Sequence, residues 1–322
     1  MNAFLIAIVA LVGLIAVPSE ANAQTWPSQP LRAMIPFGAG SATDIVPRIV
    51  LEQLGTQLGQ TIIVENRAGA GGTIGAGLVA RANPDRYTIL VNSSAHTISP
   101  ALYPALAYQP ARHFVAVIPL GISPAVLVVS PAKGHRTVAD LVAAARARPG
   151  TLTFSSVGVG SATHISAERF LRSAGIQAVH APYRGGAEAM TDAMTGRVDF
   201  FFGPLGLVMP NVRDGRLVAL AVNGATRSGA LPEVPTTAEA GFADAEYPIW
   251  IGMFLPAGTP RGIVETLHRE TSRALQAPRV RERLSALGVD PMPLTPAEFD
   301  ALVEREIVMN TALVTAAGIR VS

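Results

Sequence analysis

The chain has 322 residues, 49% hydrophobic and 15% charged, with a formal net charge of +2 and no cysteine. That length supports two domains with large buried cores. The missing cysteine excludes disulfides, thiolate metal sites, a cysteine nucleophile and an N-terminal lipid-modified cysteine, and the small charge excess, with no basic block, gives no footprint for nucleic acid.

In chain order, the first feature is the apolar run Ala3 to Val17, broken by Pro18, Ser19 and Glu20. Ala21-Asn22-Ala23 follows as a small-x-small cleavage site with Gln24 as the new N-terminus. The run is shorter than the roughly 20 residues a spanning helix needs. Residues 1–23 are therefore expected to be a cleaved signal peptide, with an N-terminal membrane anchor as the alternative. The segment before the run carries no Lys or Arg. Cleavage would remove only one charged residue, Glu20, and release a periplasmic protein with no lipid anchor.

Short apolar runs then alternate with helical patterns. Strands are predicted at Leu31–Ile35, Thr61–Glu65, Tyr87–Val91, Phe114–Leu120 and Ala125–Val129. Five more are predicted at Leu152–Ser155, Val179–His180, Val198–Phe202, Leu217–Val222 and Ile249–Leu255. Between them, Val138, Leu141, Val142 and Ala145 keep an i, i+3, i+4, i+7 spacing. Thr137 with Asp140, and Thr295-Pro296 with Glu298, read as capping boxes at helix starts. This alternation predicts an α/β fold with largely parallel sheets.

No period repeats, so the chain is expected to pass through two lobes rather than form two beads on a linker. A first crossing is expected near Gly121–Pro124 and a return near Thr226–Pro235, where Gly, Pro and Ser cluster. Lobe one would comprise 24–122 and 232–322, and lobe two 123–231. Two crossings make a two-strand hinge suited to closing around a ligand.

Ligands of open α/β sheets sit beyond the C-terminal ends of strands, where helix N-termini present amides. Four segments have that placement: Gly38–Asp44, Asn92–Thr97 (with Ser94 and His96), Ser155–His164 and Pro182–Gly186. They are rich in Gly and hydroxyls and poor in fixed charge. Such loops suit a cluster of anionic oxygens held by amides and hydroxyls.

The same segments carry a resemblance. Pro36-Phe37 to Thr43-Asp44 is similar to a "PFxxGGxxD" opening, and Val64 to Gly72 to "VENRxGAGG". Ser155 to His164 matches "SxGxGSxxH", His180 to Gly185 "HVPYKG", and Phe254 to Pro260 "FAPAGTP". In this order, across essentially the whole mature chain, they resemble the Bug-type substrate-binding receptors of tripartite tricarboxylate transporters. The resemblance implies a type II periplasmic-binding-protein fold, a carboxylate ligand, membrane transporter subunits as partners and no enzymatic activity. By position it assigns Gly40, Ser41 and Thr43 to the ligand from lobe one, and Ser155, Gly160, Ser161 and Thr163 from lobe two, with Tyr183 and Gly185 beside them. The chain departs from the pattern at Ser41, where a second Gly is usual, and at Gly203-Pro204-Leu205, where a polar residue is common.

Several residues carry two readings. Asp44 either touches the ligand or supports the first helix turn. Arg184, the one cation of these loops, pairs with a second carboxylate or is solvated. His164 donates to the ligand or to a neighbouring carbonyl. Phe202, at the end of a strand aimed at the cleft, is the expected stacking surface for an apolar ligand body. Glu65-Asn66-Arg67 is expected to fix the turn before Gly69–Gly72.

An enzyme reading rests on Ser161 with His164, but there is no G-x-S-x-G and no assignable acid. Gly75 to Ala80 fits G-x-G-x-x-A without directly following a strand, and no metal-ligand spacing occurs. No cofactor is expected. The chain is therefore expected to be a monomeric periplasmic receptor that hands a small mono- or dicarboxylate to a transporter. A ligand-presenting receptor for a membrane sensor kinase is the alternative, and a secreted serine hydrolase a distant one.

Overall fold

A computed structural model describes residues 26–247 and 249–319. The expected signal peptide at 1–23 lies outside them. Ten strands form among the described residues: β1 (Leu31–Ile35), β2 (Ile62–Asn66), β3 (Thr88–Ser93), β4 (Phe114–Ser123), β5 (Ala125–Val129), β6 (Thr153–Ser156), β7 (Val179–Pro182), β8 (Phe200–Pro204), β9 (Val218–Val222) and β10 (Ile249–Pro256). All lie where the apolar runs placed them, with ends shifted by about three residues at most. The helices are α1 (Ala42–Leu58), α2 (Thr73–Ala80), α3 (Ala95–Leu102), α4 (Pro110–His113), α5 (Val138–Ala147), α6 (Ala162–Ala174), α7 (Gly186–Met194), α8 (Leu205–Arg213), α9 (Arg261–Gln276), α10 (Pro278–Ala286) and α11 (Pro296–Ala317). Both capping boxes are formed, by Thr137 with Asp140 and by Thr295 with Glu298.

The strands make two five-stranded sheets, ordered β2-β1-β3-β10-β4 and β7-β6-β8-β5-β9. In the first, β1 runs parallel to β2 and β3, while β10 is antiparallel to β3 and β4. The second repeats this wiring, with β6 parallel to β7 and β8, and β5 antiparallel to β8 and β9. The fourth strand of each sheet thus arrives by a crossing from the other lobe. All residues of β5 and β10 are buried, as central strands covered on both faces require. On one face of the first sheet α1 buries Val46, Ile49, Val50 and Leu54, each contributing on the order of 1.5–3 kcal/mol of burial.

The first crossing falls at Pro124, between β4 and β5. The return lies later than Thr226–Pro235. Val222 accepts from Thr237 N at 2.8 Å and donates to Pro235 O at 2.9 Å, and Asn223 O accepts from Tyr247 N at 3.0 Å. The chain therefore stays on the second sheet as far as Tyr247 and enters the first at Ile249. The Gly, Pro and Ser cluster marks a surface loop beside β9, since those residues signal turns without saying which sheet the turn serves.

The lobes also touch away from the crossings. Ile98 and Leu102 of α3 pack in one cluster with Phe154 and Ile165 of the second lobe. A Cβ on Gly206 would lie 2.5 Å from Leu287 O, so that glycine permits a close backbone approach between lobes.

Candidate ligand-binding site

The loop after β1 is held by Asp44, only 2% exposed. Its Oδ2 accepts from Gly40 N at 2.8 Å, and its Oδ1 accepts from Arg48 Nε and Asn66 Nδ2, both at 2.9 Å. Burial pushes the carboxyl's pKa up, but the bonds from Gly40, Asn66 and Arg48 outweigh it and hold the group below its usual range. Asp44 is thus a strut for the loop. Asn66 completes the strut by donating to Phe37 O at 2.9 Å, and Glu65 pairs with Arg32 at 2.8 Å, so this part of the Glu65-Asn66-Arg67 run is structural.

Ser41 is the N-cap of α1, yet its side chain makes no capping bond. Its Oγ is buried and has no partner among the described residues. The Thr43 side chain is half-buried and makes no hydrogen bond among the described residues. In the next loop Ser94 N donates to Trp250 O at 3.0 Å, while Ser94 Oγ is buried and has no partner among the described residues. His96 belongs to the core. Its ring lies 4.7 Å from Phe254 and 5.1 Å from Phe114, and burial pushes its pKa down to about 3.

In the second lobe most loop hydroxyls are spent on the loop itself. Ser161 caps α6, donating to Gly158 O at 2.7 Å and accepting from His164 N at 3.3 Å. Thr163 Oγ1 accepts from Val157 N at 3.1 Å. His164, 3% exposed, accepts from Gly160 N through Nδ1 at 3.1 Å. That bond occupies the nitrogen a base would need, so Ser161 and His164 form no nucleophile–base pair. Ser155 is fully buried and donates to Ala189 O at 3.0 Å, facing α7 rather than an opening.

His180, quoted above only as part of a motif, is a structural residue that sequence reasoning missed. Its ring stacks on His164 at 3.9 Å and its Nε2 lies 2.6 Å from Ser156 Oγ. Burial and the neighbouring His164 push its pKa down to about 3. The two imidazoles stack on one another, backed by Phe154 at 4.9 Å from His180.

After β7, Tyr183 donates to Asp192 Oδ2 at 2.5 Å, and that bond is the main cause raising its pKa. Arg184 is exposed and forms no ion pair among the described residues. Gly185 is the N-cap of α7. Phe202, expected at the cleft, is 0% exposed and lies 5.6 Å from Phe170 in the core. β8 is covered on both faces, with Phe201 in one cluster and Phe202 in another, so its alternation leaves no cleft-facing side.

The loops of β1 and β2 are joined through Asn66 and Phe37, and those of β6 and β7 through Tyr183 N, which donates to Ser156 O at 2.9 Å. Across the lobes, α3 meets the Gly160 loop at Leu102. Two grooves of about 570 and 450 Å³ lie along α1 with β2 and between α2 and the segment after α3; no candidate residue lines either. No cluster of metal-ligating side chains occurs among the described residues. What remains, among the described residues, is a set of helix N-termini with uncommitted hydroxyls at Ser41, Thr43 and Ser94 and with Arg184 outside any ion pair, chemistry that suits anionic oxygens.

Two lobes wired alike, each completed by a strand from the other side of the crossings, constitute the type II fold of periplasmic binding proteins. An R. palustris protein solved with adipate shares it at a TM-score of 0.85 and 31% identity, covering 92% of this chain and 100% of that one. MatC from Rhodopseudomonas palustris, solved with bound malate, does so at 0.82 and 31%, covering 89% and 99%. Protein BugT of Bordetella pertussis is 32% identical over 320 residues, 99% of this chain and 98% of its own length. The chain belongs to the tripartite tricarboxylate transporter family receptors, whose family model matches residues 46–319. It is a periplasmic solute-binding receptor of that family and not an enzyme.

Proposed function

We propose that the chain, freed of residues 1–23 and without a lipid anchor, captures a small mono- or dicarboxylate between its lobes. As a monomer it then delivers the acid to the membrane subunits of a tripartite tricarboxylate-type transporter. The observation that carries this reading is Ser41, a buried hydroxyl at the N-terminus of α1 with no partner among the described residues. A buried polar atom left unpaired costs about 1–3 kcal/mol, and a carboxylate oxygen supplies the missing partner. The Thr43 hydroxyl and the N-termini of α6 and α7, at Ser161 and Gly185, add donors for the same anion, with Ser161 and Thr163 holding the α6 loop in shape. Arg184, free of an ion pair among the described residues, selects a second carboxylate. The adipate and malate held by the two related structures support this chemical class.

Uptake tests the delivery step. Deleting the gene in its host should abolish high-affinity uptake of one labelled carboxylate, and a plasmid copy should restore it. Unchanged uptake with loss of an acid-induced transcriptional response would instead favour presentation to a sensor kinase.

A further inference from the structure

Each segment joining the lobes carries one proline, Pro124 and Pro248. On the first-lobe side the two segments are tied by the sheet, where Ser123 pairs with Ile249. On the second-lobe side, among the described residues, the segments are tied through Asn223, which follows β9 and is 0% exposed. Its Oδ1 accepts from Ala125 N at 2.7 Å, and its Nδ2 donates to Tyr247 O at 2.6 Å and to Ser166 Oγ at 3.0 Å. Its backbone N donates to Ala125 O at 2.9 Å, and its backbone O accepts from Tyr247 N at 3.0 Å. Main chain and side chain therefore both grip both segments.

Only a carboxamide of this length meets the demand. Ala125 presents an N–H that needs an acceptor, and Tyr247 presents a carbonyl that needs a donor. An aspartate would set an acceptor against the Tyr247 carbonyl, and an alanine would leave Ala125 N without this acceptor and Tyr247 O with only the long contact from Ser166 Oγ at 3.5 Å.

We infer that Asn223 is the positioning residue of the hinge. It holds the second-lobe ends of both segments in one register, so the lobes turn as two bodies between Ser123 and Ala125 on one segment and Tyr247 and Ile249 on the other. Without it the segments bend independently and the lobes sample many relative angles. This inference rests on closure of the lobes around a ligand, but not on which ligand is bound.

The chain lacks cysteine, so spin labels can be confined to two introduced sites. Exposed Arg148 and Arg279, one on each lobe, serve as Arg148→Cys and Arg279→Cys. Pulsed electron resonance on the ligand-free full chain should give a narrow set of interlobe distances. Asn223→Ala and Asn223→Asp should widen it at neutral pH. Ser130→Ala, which removes a different second-lobe hydrogen bond to Met194 O at 2.9 Å, should leave it unchanged. Asn223→Asp should narrow again in acid, where a protonated carboxyl regains the donor facing Tyr247; a merely structural loss would show no such rescue. Adding adipate to the labelled parent tests ligand closure separately, and its failure would count against the carboxylate reading alone. Folded variants with the parent's distance distribution at every pH would overturn the role of Asn223.

Discussion

Leu102 of α3 and Gly160 of the loop before α6 meet across the lobes so closely that a Cβ on the glycine would lie 2.0 Å from Leu102 Cδ1. Gly160 also has φ +75°, where an L-residue costs roughly 1–2 kcal/mol. Leu102 is 5% exposed and has little room to retreat. Gly160→Ala should therefore force the lobes apart, weakening ligand binding about tenfold or more, with a melting temperature lower by several degrees. Leu102→Ala in the same chain should restore part of the affinity by relieving the contact but not the backbone strain. Titration calorimetry on the single and double variants measures the coupling.

Two serines with buried hydroxyls should behave oppositely. Ser155 Oγ donates to Ala189 O, so Ser155→Ala should cost about 1 kcal/mol of stability and leave affinity intact. Ser41 Oγ has no partner among the described residues, so Ser41→Ala should leave stability unchanged or raise it. It should weaken ligand binding by about fivefold to tenfold. Denaturant unfolding paired with ligand titration separates the two.

The Asp44 strut makes a pH prediction. Its folded pKa is lowered, so its contribution is complete above the unfolded value of about 3.9. That contribution is lost as pH falls through the lower folded value. Asp44→Ala should cost about 2 kcal/mol at neutral pH, because Gly40 N, Arg48 and Asn66 lose a charged acceptor. The gap to the parent should close below pH 4, read as melting temperature against pH.

Glu306 behaves in the opposite sense. Burial raises its pKa, against hydrogen bonds from Trp250 and Thr97 and the nearby Arg169 and Arg305. Trp250 Nε1 donates to it at 3.0 Å and Thr97 Oγ1 at 2.9 Å. A raised acid favours its neutral form in the folded state, so its contribution is present below the unfolded pKa and is lost as pH rises through the folded one. Glu306→Gln keeps an acceptor for Trp250 without a charge to desolvate. The variant should melt higher than the parent at pH 7, and the difference should shrink toward pH 4.

Sequence reading reached the strands because each is a short apolar run bounded by turn residues, and the helix starts because Thr137 with Asp140 and Thr295 with Glu298 sit at capping spacing. It did not reach the return crossing, because Gly, Pro and Ser mark a turn without naming the sheet it belongs to. Phe202 went astray because a period of two sorts side chains into two faces without telling which faces are covered. Ser155 and Thr163 lie in a ligand-type loop, yet their hydroxyls are taken up by Ala189 O and Val157 N. Asn223 and Glu306 gave no local signal at all. Their partners, Ala125, Tyr247, Thr97 and Trp250, are distant in the chain and are assembled only by the crossings.

The most direct measurement is a thermal-shift panel on residues 24–322. A ligand at 100 times its dissociation constant adds about 2.7 kcal/mol to stability, which raises melting by several degrees in a chain of this size. Aliphatic dicarboxylates such as adipate and malate, citrate, acidic amino acids and aromatic acids should include at least one strong stabiliser, and neutral sugars and amines none. A clear shift with a sugar or an amine, and none with any acid, would contradict the account.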